Sequence, residues 1–82
     1  RLLLAGRDRA KGEAAAAALG AAFAAADMAD PAQAAGLIDE AARRWGRVTA
    51  LVNAAAVTDR ASILDCTPAE WDRQFAVNAR GP

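Results

Sequence analysis

The chain is 82 residues long, with 10 Lys+Arg against 10 Asp+Glu and a formal net charge of +0. A chain of that length holds at most one small domain, and its balanced charge offers neither a basic face for nucleic acid nor an acidic solvating tail. One cysteine, Cys66, and no histidine exclude a disulfide framework and any metal centre built on Cys/His clusters. No apolar run approaches membrane-spanning length. Alanine supplies much of the 55% hydrophobic fraction, favouring helix while burying little surface. Cys66 reads as a buried or half-buried small residue, and the setting expected for the chain is the reduced cytoplasm.

In chain order, residues 2–5 (Leu-Leu-Leu-Ala) predict a short strand ending at Gly6. Asp8 can cap a helix from Arg9 to Leu19, stopped by Gly20. Residues 21–26 form a weaker strand, favoured by their place between a helix stop and a turn. In the turn Asp27-Met28-Ala29-Asp30-Pro31, Asp30 is an N-cap, Pro31 suits the first helical position, and Gln33 stands where a capping box wants it. A helix from Pro31 to Trp45 places Leu37, Ile38, Ala41, Ala42 and Trp45 on one face, and Gly46 ends it. A strand is predicted over 48–54, then a polar loop near Thr58–Ser62. Thr67-Pro68-Ala69-Glu70 is a second proline-bearing capping box, opening a helix through about Arg80.

The order strand–helix–strand–helix–strand–helix, with short apolar strands, predicts an α/β chain of three parallel strands joined by right-handed crossovers. The stretch from Val48 to Val57 carries the most information. It is an apolar run of the kind buried on both faces of a parallel sheet, followed by Asn53 and three alanines. Small residues at the carboxyl end of such a strand leave room for a flat ligand, and that edge is where open α/β sheets bind ligands.

Asn78 is singled out by helical spacing. Trp71, Phe75, Asn78 and Pro82 fall at i, i+4, i+7 and i+11, an otherwise apolar stripe expected to pack inward. A buried amide without partners costs roughly 1–3 kcal/mol, so something must satisfy it. Trp45 and Trp71 read as core anchors, and Asp59 and Arg60 as solvated loop charges.

These segments together resemble the short-chain dehydrogenase/reductase family, oxidoreductases on the doubly wound Rossmann fold. Leu2-Leu3-Leu4-Ala5-Gly6-Arg7-Asp8 is similar to the family's second strand and its cofactor-selecting loop. Ala26-Asp27-Met28 is similar to the end of the third strand. Leu51-Val52-Asn53-Ala54-Ala55-Ala56 resembles the Asn-Asn-Ala-Gly signature, with alanine at its second and fourth positions. The segment from Trp71 to Pro82 resembles the next helix, which carries the asparagine of the catalytic tetrad.

The resemblance implies a nicotinamide cofactor and an alcohol or carbonyl substrate. Where NAD-preferring members close the second strand with an acidic residue, this chain has Gly6 followed by Arg7. A guanidinium there suits a 2′-phosphate, so NADP(H) is favoured and NAD(H) possible. Asp27 is expected to accept from the adenine amino group, with Met28 giving backbone contact; the alternative is turn chemistry. Asn53, Ala54 and Ala55 are expected to support the cofactor, and Asn78 to bend its helix and hold a water of the proton relay. The resemblance also implies a homodimer or homotetramer, paired through the helix containing Asn78 and the one after it.

The chain has no TGxxxGxG loop, no catalytic serine and no Tyr-x-x-x-Lys pair; it contains no tyrosine. With no initial methionine and both ends falling in regular elements, the expectation is an internal piece of a single domain of about 250 residues. Strand 1 of the Rossmann order would lie between residues 2–5 and 48–54, leaving both with an unpaired edge. Two other readings compete: a non-catalytic nucleotide-binding protein, and a Rossmann methyltransferase, which Gly6-Arg7 argues against.

Overall fold

A computed structural model describes residues 1–82. Two strands, β1 (Leu3–Gly6) and β2 (Ala22–Ala25), pair in parallel with Leu3 opposite Ala22 and Gly6 opposite Ala25. The crossover between them is helix α1 (Arg9–Leu19). Helix α2 (Pro31–Trp45) follows β2, and α3 (Pro68–Phe75) runs directly into a π-helical turn, Ala76–Arg80.

Local chemistry sets the helix ends. Asp8 accepts from the Lys11 N–H and starts α1. Gly20, at φ 62°, ends it: its N–H reaches the Ala17 carbonyl and the next N–H, Ala21, reaches Ala16. Such a closure needs a left-handed residue, which glycine adopts without the Cβ penalty. Asp30 accepts from the N–H groups of Ala32 and Gln33 at the start of α2. The predicted box at that end is not closed. The Asp30 N–H donates to the Asp27 carbonyl, so the Gln33 side-chain oxygen takes the Asp27 N–H instead, at 2.9 Å. At α3 the box is complete, with Thr67 and Glu70 bonding each other's N–H.

The small core lies where α1 crosses the sheet. Gly12 and Ala16 share one face of α1, and a Cβ on Gly12 would stand 2.0 Å from the Phe23 ring. The absence of that carbon lets the helix rest on β2. Only Ala16, Ala26 and Val77 are buried, and all three are small. The chain exposes 6053 Å² where a folded globule of its mass exposes roughly 4,600 Å². Its radius of gyration is 14.6 Å against about 12 Å for a compact chain of this length.

Two expectations are corrected here. Residues 48–54 form no strand; the sheet has two strands, not three. No backbone group from residue 47 to 56 makes a hydrogen bond, and Val52 is 85% exposed. Val48, Leu51 and Val52 suit a strand, but a strand requires a ladder partner, and none stands beside them. The aromatic stripe of α3 does not pack inward either. Trp71 and Phe75 are each 53% exposed and stack on one another, with ring centroids 4.9 Å apart. The apolar face of α2 is likewise half-covered at best, with Ile38 exposed.

Three carboxylates are held below their ordinary range. Asp30 is lowered first by the Gln33 side-chain amide and then by the α2 N-terminal N–H groups. Glu40 is lowered by the guanidiniums of Arg43 and Arg44, and Glu70 by the Thr67 N–H and hydroxyl. A depressed carboxylate stabilises the fold above its unfolded pKa, and that contribution is lost as pH falls through the folded value. Two outcomes are expected. In an NMR pH titration, Asp30 and Glu70 give midpoints below about 3.9 and about 4.3 respectively, and midpoints at or above these refute the cap geometry. The 82-residue chain by itself shows helical circular dichroism that decays gradually in urea, because its core is so small; a sharp transition with the m-value of a packed globule refutes this.

Candidate functional site

Because β1 and β2 run in parallel and in register, their carboxyl ends emerge at one edge of the sheet. That edge carries Gly6 and Arg7 from β1, and Ala26, Asp27 and Met28 from β2. Arg7 is exposed and makes neither a hydrogen bond nor an ion pair, whereas Asp8 beside it is occupied in capping α1. An unpaired guanidinium next to a helix N-terminus presents several donors to an anion without displacing an existing partner.

Asp27 is half-buried in the turn that follows β2. Its Oδ1 accepts from the Ala29 N–H at 2.9 Å, so turn chemistry does operate. Its Oδ2 has no partner among the protein's hydrogen bonds. The two readings weighed for this residue therefore fall on different oxygens, one tied into the turn and one available to a donor. Met28 lies half-buried beside it.

Asn78 sits within the π-helical turn. Its side chain pairs with one residue twice: Oδ1 accepts from the Val57 N–H at 2.8 Å, and Nδ2 donates to the Val57 carbonyl at 2.7 Å. The amide is thus paired by a neighbouring segment, although Asn78 is exposed and not buried as its place on the stripe predicts, so the cost of an unpaired buried amide does not apply to it. Widening of a helix to π geometry at this residue is a local irregularity of the kind often found at functional positions.

Asn53, Ala54 and Ala55 are exposed and make no hydrogen bond. The structure brings Arg7, Asp27 and Met28 to one sheet edge and attaches the helix bearing Asn78 to that edge, but it leaves Asn53 to Ala55 unattached. Val57, three residues after Ala54, is where the segment is first held.

Two residues that sequence reasoning passed over make the attachment. The Arg80 guanidinium donates to the Ala29 carbonyl at 2.6 Å. A Cβ on Gly81 would lie 2.7 Å from the Met28 carbonyl oxygen and 2.8 Å from that of Val77, so only glycine lets the helix end approach the turn this closely. The one signal in the sequence was an arginine–glycine pair just after Asn78, which carries no periodicity. Trp71 and Phe75 line a shallow cavity of about 270 Å³ with Asp59, Cys66 and Gln74. There Asp59 Oδ1 lies 3.7 Å from the Arg73 guanidinium, so this loop charge is paired and not simply solvated. No helix is long and apolar enough to cross a membrane.

Comparison with known proteins adds to this geometry. The sequence model of a family described as "Enoyl-(Acyl carrier protein) reductase" matches residues 1–82. A short-chain type dehydrogenase/reductase of Picea abies is 41% identical over 58 residues, covering 68% of this chain and 21% of its own length. A sorbitol dehydrogenase of Cereibacter sphaeroides is 40% identical over 55 residues, covering 67% of this chain and 22% of its own. A solved structure of a short chain dehydrogenase/reductase family protein superposes with a TM-score of 0.82 at 37% identity, covering 96% of this chain and 33% of that one. The chain thus spans about a fifth of the length of these two curated relatives. With the family model matched from end to end and the parallel strand pair superposed on a family structure, the chain belongs to the short-chain dehydrogenases/reductases.

Proposed function

We propose that the full-length protein carrying these residues is an oxidoreductase that transfers hydride between a nicotinamide cofactor, NADP(H) in preference to NAD(H), and an alcohol or carbonyl substrate. The observation that carries the reading is the shared carboxyl edge of β1 and β2. It sets an unpaired Arg7 and the free Oδ2 of Asp27 on the same rim of a parallel sheet. That rim is where nucleotide ligands enter open α/β sheets.

The residues fit the group. Arg7 would bind the 2′-phosphate, a role for which Gly6 leaves no competing carboxylate at the end of β1. Asp27 Oδ2 would accept from the adenine amino group while Oδ1 holds the turn, and Met28 would line the adenine. Asn53, Ala54 and Ala55 would support the cofactor from the next segment, where the absence of large side chains permits close approach. When bound, the cofactor would supply hydride to a carbonyl or accept it from an alcohol.

Asn78 would serve in proton transfer by holding a water. Its amide pairs with both backbone groups of Val57, which fixes its position, and the π-helical turn leaves nearby carbonyls out of regular α pairing. The substrate reading follows two relatives named as dehydrogenases, one of them for sorbitol. A homodimer or homotetramer and a cytoplasmic setting complete the reading. The exposed Trp71 and Phe75 on the Asn78 helix support self-association there.

The test exchanges the charge at the selecting position. In the full-length enzyme, Arg7→Asp lowers kcat/KM for NADPH by about 10–100-fold, as expected for losing a charge-assisted bidentate contact, and raises the relative use of NADH. Unchanged coenzyme selectivity in a folded variant refutes the assignment.

A further inference from the structure

The turn 27–30 is tied to the helix that carries Asn78 through one residue, Ala29. The Ala29 N–H donates to Asp27 Oδ1 at 2.9 Å, and the Ala29 carbonyl accepts from Arg80 at 2.6 Å. The residue whose backbone orients the Asp27 carboxylate is therefore itself held by a guanidinium from a segment 51 positions further along the chain. Gly81 brings the chain close enough for that bond, since any side chain there would meet the Met28 carbonyl. Asp30, in the same turn, also feels the Arg80 charge.

We propose that Arg80 is a positioning residue for cofactor recognition: by clamping the Ala29 carbonyl it holds the Asp27 carboxylate in the orientation that leaves Oδ2 facing the nucleotide. The proposal rests on the reading of Asp27 as the adenine-side acceptor. Three features make Arg80 the agent. A guanidinium–carbonyl bond is charge-assisted and stronger than a neutral one. It is the sole side-chain hydrogen bond joining the turn to the C-terminal helix. The Asn78 side chain, on the same helical turn, is taken up by Val57 and does not reach the carboxyl-edge turn, which leaves Arg80 as the side chain that does.

The experiment is a double-mutant cycle in the full-length enzyme, with NADPH affinity read by protein fluorescence and turnover read alongside. Arg80→Met keeps an unbranched apolar stem and removes the donor; Asp27→Asn keeps an acceptor for the turn and puts an NH2 donor where the free Oδ2 stood. Each single variant weakens NADPH binding by about 5–10-fold, as expected for loss of one strong hydrogen bond, and Arg80→Met raises KM for NADPH more than it lowers kcat. The double variant binds no more weakly than Asp27→Asn alone, because the clamp acts through the carboxylate.

If Asp27→Asn binds NADPH like the wild type, the reading of Asp27 itself falls, and the proposal with it. If Asp27→Asn weakens binding but Arg80→Met does not, or the two effects multiply, the role of Arg80 is overturned and that of Asp27 stands. Should Arg80→Met fail to fold, Arg80→Lys decides the matter. Its single ammonium makes a less well-directed bond and weakens NADPH binding about 2–5-fold, and unchanged affinity overturns the proposal.

Discussion

A parallel strand is stable only beside another strand, and that requirement governs this molecule. β1 and β2 meet it for each other, in register from Leu3 opposite Ala22 to Gly6 opposite Ala25. Residues 48–54 have the composition of a strand but no neighbour to share a ladder with, and they remain without a single backbone hydrogen bond. Chain extension without pairing confers nothing, because each unpaired N–H and C=O does as well with water. The openness of the structure and the exposure of Val52 follow from the lack of that one ladder, as does the unattached state of Asn53, Ala54 and Ala55.

Where packing does occur, it relies on small residues. Gly12 accepts the Phe23 ring, Ala16 and Ala26 are buried, and Gly81 accepts the Met28 carbonyl. Small residues permit close approach but bury little apolar area, so each contact positions more than it stabilises. The hydrogen bonds across long stretches of sequence complete the positioning. Asn78 grips Val57 by both backbone groups, and Arg80 grips Ala29. The C-terminal helix is thereby tied at two points, to the carboxyl-edge turn and to the segment that follows Asn53.

This arrangement explains how a chain with almost no core still presents an ordered rim. The placement of the Arg7 and Asp27 backbones on one rim follows from the register of two four-residue strands and one crossover helix. Asn78 is joined to Val57 by both groups of its amide, and its helix to the turn by Arg80. The division of Asp27 between a turn and a free oxygen follows from carboxylate chemistry, since one group with two acceptor atoms can serve both purposes.

Much of this was legible in the residues alone. Helices Arg9–Leu19 and Pro31–Trp45 lie where their caps place them, because an aspartate N-cap and a left-handed glycine act within a few residues. The parallel pairing, the family and the shared edge for Arg7 and Asp27 were legible for a related reason: short apolar strands alternating with helices admit few topologies. Tertiary structure alone decided whether residues 48–54 pair, whether Trp71 and Phe75 find cover, which atom takes the Asp27 N–H in place of a closed box at Asp30, and what Arg80 and Gly81 touch. The Asp27 N–H is taken by Gln33 only six residues on, a choice set by the turn geometry; the others depend on a partner distant in sequence or on the lack of one, and local propensity holds no information about a neighbour dozens of residues away.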